Sequence, residues 1–168
     1  MRNLLSACLL IALSAACNAN NDLVSDSSCK SGKKWTGGNA GSDYMHPGGD
    51  CIGCHVAKQK GPQFLVAGTV YSADGVDEPD DCGGVEGATV SITDAKGNTQ
   101  TLTTNAAGNF FLRSRNASAI AMPYAVTVTY ANQAHRMVSS QSNGACNACH
   151  TQSGANSAPG RVFAKPAN

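Results

Sequence analysis

Ala88-Thr89-Val90-Ser91-Ile92-Thr93-Asp94-Ala95-Lys96-Gly97-Asn98-Thr99-Gln100-Thr101-Leu102-Thr103-Thr104 is the stretch on which the fold turns. Val90 and Ile92 alternate with Thr89, Ser91 and Thr93, the period-two pattern of a half-buried strand. Asp94 to Asn98 carries turn residues, with Gly97 free to take a positive φ, so Thr99 to Thr104 is predicted to return as the partner strand of a hairpin. Outward from this hairpin, Phe64-Leu65-Val66-Ala67-Gly68-Thr69-Val70-Tyr71 predicts a strand before it. A second turn at Asn105-Ala106-Ala107-Gly108 leads into Asn109-Phe110-Phe111-Leu112-Arg113, and Tyr124 to Tyr130 completes the set. No stretch keeps a helical period. Five short strands separated by turn signals predict a mainly β fold, a small β-sandwich.

The chain of 168 residues has room for one ordinary domain, and its composition limits what that domain can be. Aromatic residues are 5% and charged residues 14%, so the core is thin in large side chains. The net charge of +1 gives no global field for nucleic acid, and no nucleic-acid partner is expected. The charge is nevertheless uneven. Every carboxylate lies at or before Asp94, whereas Lys96, Arg113, Arg115, Arg136, Arg161 and Lys165 follow with no acid among them. Such a distribution is either a solvated surface or a set of arginines that meets anionic groups of a cofactor or an acidic partner.

Met1-Arg2-Asn3 followed by the apolar run Leu4 to Leu13 reads as an export signal, too short to span a bilayer as a mature helix. Ser14-Ala15-Ala16 precedes Cys17, which resembles a bacterial lipoprotein signal with Cys17 as the lipidated first residue. Membrane contact is then expected through the Cys17 lipid only, with the protein periplasmic or held at the outer membrane or cell surface. The expected organisation is a signal peptide at 1–16, a lipid-anchored tether at 17–43 rich in Asn, Ser, Gly and Lys, a first cofactor segment at 44–61, the β-sandwich at 62–130 and a second cofactor segment at 131–168.

Two motifs carry the chemistry: Cys51-Ile52-Gly53-Cys54-His55 and Cys146-Asn147-Ala148-Cys149-His150. Cys-x-x-Cys-His is the pattern of covalent c-type haem attachment, in which each cysteine adds to a vinyl group and the following histidine reaches the iron as proximal ligand. At this composition about 0.01 chance matches are expected, so two are not coincidental. The pattern therefore predicts two covalently attached haem c groups on Cys51, Cys54, Cys146 and Cys149, with His55 and His150 as proximal ligands. A zinc site would use the four cysteines but has no need of a histidine after each pair. A thioredoxin-like pair belongs at a helix start in an α/β fold.

Eight cysteines are then nearly accounted for. Cys8 leaves with the signal, Cys17 takes lipid and four hold haem, which leaves Cys29 and Cys82 as an expected disulfide in an oxidising compartment. The distal ligands are more open: the remaining histidines are His46 and His135, and Met45 and Met137 stand beside them. In an extended segment His135 and Met137 project from the same face, so either could turn to an iron.

Two resemblances sharpen these expectations. Ala67-Gly68-Thr69-Val70, Gly87 to Asp94 and Thr103 to Phe110 resemble the carboxypeptidase regulatory-like, transthyretin-like sandwich, over about residues 64 to 130. The chain as a whole resembles exported, often lipid-anchored, cytochrome-like proteins of bacteria in which two Cys-x-x-Cys-His motifs bracket such a sandwich. Met45-His46-Pro47-Gly48 and Ala158-Pro159-Gly160-Arg161 carry that likeness, over roughly residues 29 to 166. It implies a mainly β fold flanked by two irregular haem-binding segments, and it favours Met45 and Met137 over His46 and His135 as distal ligands.

The function expected from these residues is electron transfer outside the cytoplasm, with other redox proteins or cytochromes as donor and acceptor. No catalytic residues are expected, since no Ser/His/Asp set or nucleotide loop occurs. The competing classes are a small haem enzyme of the peroxidase or reductase type, which needs an open iron position with acid or base groups above it, and a β-sandwich binding module in which the haems are structural or sensory.

Overall fold

A computed structural model describes residues 39–72, 83–116 and 120–164. Cys17, Cys29 and Cys82, and with them the expected lipid anchor and disulfide, lie outside the described residues. The elements run α1 (Cys51–Lys58), β1 (Phe64–Tyr71), β2 (Thr89–Thr93), β3 (Thr99–Thr103), β4 (Asn109–Arg113), β5 (Ala125–Tyr130), β6 (Gln133–Arg136), α2 (Cys146–Cys149) and β7 (Val162–Phe163), with a 3-10 turn after β4. All five expected strands form, to within a residue at either end.

The hairpin forms as its chemistry dictates. Gly97 has φ 82°, and the Asp94 carboxylate accepts from the amides of Lys96 and Asn98, both at 2.9 Å. At the next turn the Asn105 Oδ1 accepts from Ala107 N and Asn109 N, and Gly108 takes φ 75°. These turns set the register of a four-stranded antiparallel sheet in the order β3-β2-β5-β6 and of a three-stranded sheet in the order β4-β1-β7.

The two sheets bury one shared apolar cluster. Val66 and Val70 of β1 and Phe110 and Leu112 of β4 meet Val90 and Ile92 of β2 and Val126 and Val128 of β5, with Tyr124 buried among them. Burying each such side chain contributes about 1.5–3 kcal/mol relative to exposure. Valine, isoleucine and small residues fill most of the space, with Phe110 and Tyr124 the aromatic side chains among them.

β1 departs from alternation, and its position explains why. From Val66 to Tyr71 every residue is buried. Val66 and Val70 face the shared cluster, while Thr69 and Tyr71 face the segment before α1, where Gly48 N donates to Thr69 Oγ1 at 2.9 Å. A strand covered on both faces reads as a continuous apolar run.

Segment 131–168 is less irregular than expected, since it supplies two strands. β6 is a fully exposed edge strand paired with β5, and β7 adds two residues in parallel to the end of β1. The segment before the sheets, expected to be irregular, contains an eight-residue helix.

Candidate functional site

Both Cys-x-x-Cys-His motifs are helical and both pack on β1. α1 is nucleated by Asp50, whose side chain accepts from Gly53 N at 2.9 Å, an N-cap that contributes about 1 kcal/mol. A β-carbon at Gly53 would require the Asp50 carboxylate to shift from its capping position. α2 is a single turn with no side-chain cap at Ala145. Its order comes from tertiary contacts: Ala67 N of β1 donates to Gly144 O, and Thr69 N donates to Asn147 Oδ1 at 3.1 Å.

The two motifs share a local geometry. Cys51 Sγ lies 3.5 Å from Gly49 O, and Cys146 Sγ lies 3.5 Å from Gly144 O, in each case the carbonyl two residues earlier. Burial, reinforced by the Asp50 carboxylate, pushes the Cys51 thiol up to about 11. Burial pushes Cys146 up to about 12, with Cys51 as the next contributor, so the two sulfurs sense one another. At pH 8 a rise from 9 to 11 lowers the thiolate population about 100-fold. In the haem-free polypeptide, Cys51 and Cys146 should therefore alkylate at least ~50-fold more slowly in the native chain than in urea. Equal rates in the two conditions would show that neither thiol is buried.

Cys149 is disulfide-bonded, whereas Cys51, Cys54 and Cys146 are free thiols. A sulfur cannot hold a disulfide and a thioether at once. Attachment of a vinyl group at Cys149 therefore requires that bond to be reduced first.

The histidines are held differently. His150 Nδ1 lies 2.8 Å from Gly160 O. A carbonyl can only accept, so Nδ1 carries the proton and Nε2 keeps its lone pair for a metal, the orientation that outer-shell partners impose on ligating imidazoles. The His55 ring packs on Phe64 at 4.9 Å between centroids and against Gly61, where a β-carbon would lie 2.7 Å from Cε1. Its Nδ1 is buried and has no hydrogen-bond partner among the described residues. His55 thus meets β1 at its first residue. The strand that follows Gly160 pairs at Val70, about 20 Å further along at about 3.3 Å per residue. The two histidines are thus held from different parts of β1, and among the described residues no three His, Cys, Asp or Glu side chains converge on one point.

No protein family, curated protein or solved structure matches this chain.

Of the four residues expected as distal ligands, Met45 and His46 lie in the segment pinned to β4. Asn109 Nδ2 donates to Met45 O at 3.0 Å, and Met45 N donates to Ser42 O. His46 is half-buried with φ 42°. His135 stands exposed on β6 opposite Val128, and Met137, one step beyond the strand, packs against the shared cluster. Val128 is a core residue, so His135 and Met137 do share a face, as the extended reading required. Two of the arginines have partners within the protein: Arg113 pairs with Asp43 at 2.7 Å on the surface, and Arg161 lies over the Tyr71 ring at 4.6 Å.

A buried polar network was not foreseen. Thr69, Asn109 and Asn147 are all at least 96% buried. The Thr69 hydroxyl accepts from Gly48 N and Asn147 Nδ2 and donates to Asn109 Oδ1 at 2.9 Å, which uses its one donor and both acceptors. Asn147 Nδ2 also donates to Gly49 O at 2.9 Å. Three residues on β1, β4 and α2 thereby fasten the second motif to the residues that lead into the first.

Proposed function

We propose that this chain is an exported, lipid-anchored dihaem c-type cytochrome that transfers electrons between redox proteins outside the cytoplasm. The observation that carries the reading is the pair of Cys-x-x-Cys-His helices seated on the same strand, one with its histidine proton fixed on Nδ1 by a backbone carbonyl. Covalent haem supplies a one-electron couple at each site. Cys51, Cys54, Cys146 and Cys149 would hold the two groups, with His55 and His150 as proximal ligands. The Gly160 carbonyl holds His150 in the tautomer that leaves Nε2 available, and Phe64 and Gly61 fix the plane of His55.

Within the same reading the two sheets are a carboxypeptidase regulatory-like sandwich that serves as a rigid mount. Its support is the three matching elements and the shared core. Among the described residues no helix is long and apolar enough to cross a membrane.

The Cys149 disulfide favours one second reading, an oxidised thiol pair with a structural role in place of the second haem. The mass of the mature protein separates the two. Under haem-maturing conditions two covalent haem additions are expected, and acid-acetone should leave both with the polypeptide. Exchanging Cys51 and Cys54 for Ala should remove one, and exchanging Cys146 and Cys149 should remove the other. One addition in the wild type, on Cys51 and Cys54 alone, would establish the second reading; none would overturn both haem assignments.

A further inference from the structure

The buried network has a consequence for how the two sites work together. Asn147 occupies a variable position of the second motif, directly after Cys146, yet it is 4% exposed and every hydrogen-bonding atom of its carboxamide is used. Its Oδ1 accepts from Thr69 N, and its Nδ2 donates to Thr69 Oγ1 and to Gly49 O. Gly49 precedes the Asp50 cap and lies two residues from Cys51. A connected route between the motifs thus runs from Cys51 along the main chain to Gly49 O, across one hydrogen bond to Asn147, and along the main chain to Cys146. A leucine or alanine at 147 would satisfy the packing of a helical turn but would leave Gly49 O and Thr69 N without these partners. The bridge is also rigid at both ends: Thr69 belongs to the central strand, and Asp50 N-caps α1.

We propose that Asn147 is a positioning residue for electron exchange between the two haem sites, the strut that holds the first haem segment at a fixed distance and orientation from the second. The proposal rests on the dihaem reading. In the exchange one electron passes from the reduced haem to the oxidised one, no bond is made or broken, and no proton need move. The protein's part is to keep the two attachment points in fixed relation, since the rate of electron transfer falls as the two groups move apart.

The test uses the mature haem-loaded protein, reduced sub-stoichiometrically by a one-electron photoreductant, with internal redistribution of the electron followed by absorption. Asn147→Asp keeps the shape and the Oδ1 acceptor but replaces the donor to Gly49 O with an oxygen. Thr69→Val removes the hydroxyl that Asn147 and Gly48 share, and Thr69→Ser keeps it. The expected result is two haems per chain in every variant, unchanged ligation spectra, exchange slower than the wild type's in Asn147→Asp and Thr69→Val, and wild-type exchange in Thr69→Ser. Two haems with wild-type exchange in Asn147→Asp would overturn the proposal. So would loss of a haem in both Asn147→Asp and Thr69→Val with retention in Thr69→Ser, because the network would then serve assembly only. Failure of the dihaem reading itself shows first and separately, as fewer than two haems in the wild type.

Discussion

Gly68→Val is expected to detach the second motif from the sheet and to lower the melting temperature by many degrees. A β-carbon at Gly68 would lie 2.7 Å from Phe110 Cζ and 2.8 Å from Cys146 Cβ, closer than carbon atoms approach without one of them moving. Phe110 is 3% exposed and packed within the shared cluster, so its ring moves only by disturbing its neighbours. The Cys146 β-carbon is fixed to a main chain that β1 itself holds, through Ala67 N to Gly144 O and Thr69 N to Asn147 Oδ1. Overpacking of this kind costs about 1–3 kcal/mol for a single added methyl and more for a branched side chain. Against a total stability of about 5–15 kcal/mol, Gly68→Ala should therefore be clearly destabilised and Gly68→Val severely so. Gly41→Ala is the matching control, since a β-carbon there meets nothing within 4 Å. Thermal melts and the alkylation rate of Cys146 read the two effects together. If Gly68→Val melted with the wild type and kept Cys146 protected, the close approach of β1 and the second motif would be wrong.

How far that approach could be foreseen varies along the chain. The run Phe64 to Tyr71, lacking the alternation of Ala88 to Thr93, already implied that something covers the second face of β1, but not what. Gly68 within such a run was the visible sign of a close neighbour. β6 escaped notice because Gln133-Ala134-His135-Arg136 is exposed throughout and so lacks apolar alternation. β7 is two residues long, below any periodicity. The helix of the first motif has no buried residue, which erases the 3.6-residue signal, yet Asp50 three residues before Gly53 was a readable cap. The motif cysteines and histidines were legible because spacing along the chain is their whole signature. Thr69, Asn109 and Asn147 were not, because their meeting depends on pairs separated by 40 and 78 residues. Polar side chains so far apart acquire a common role only when the topology has buried them together.

The distal ligands are where residue chemistry and packing make the most separable forecast. A thioether ligand raises a haem potential relative to imidazole, so Met45 and Met137 as ligands place both potentials high and His46 and His135 place them low. Met137 also packs against the shared cluster, so Met137→Ala would mix a lost ligand with a core truncation worth about 2–5 kcal/mol. Met137→Leu keeps the volume and removes only the sulfur, and Met45→Leu does the same in the first segment. On the proposed function, each Leu variant should keep two haems and a near-native melt, lose the sulfur-to-iron charge-transfer band of one haem and lower the potential of that haem alone. The surroundings differ: Met45 is pinned through its carbonyl to Asn109, while Met137 follows an exposed edge strand. Two resolved potentials are therefore expected in the wild type, and each variant should move a different one. His46→Ala and His135→Ala should leave both in place, since His135 stands exposed on the edge strand. Loss of low-spin character in the histidine variants, with the Leu variants unchanged, would instead assign both irons two imidazoles. The electron-transfer reading would survive that result at lower potentials, and the preference for sulfur would not.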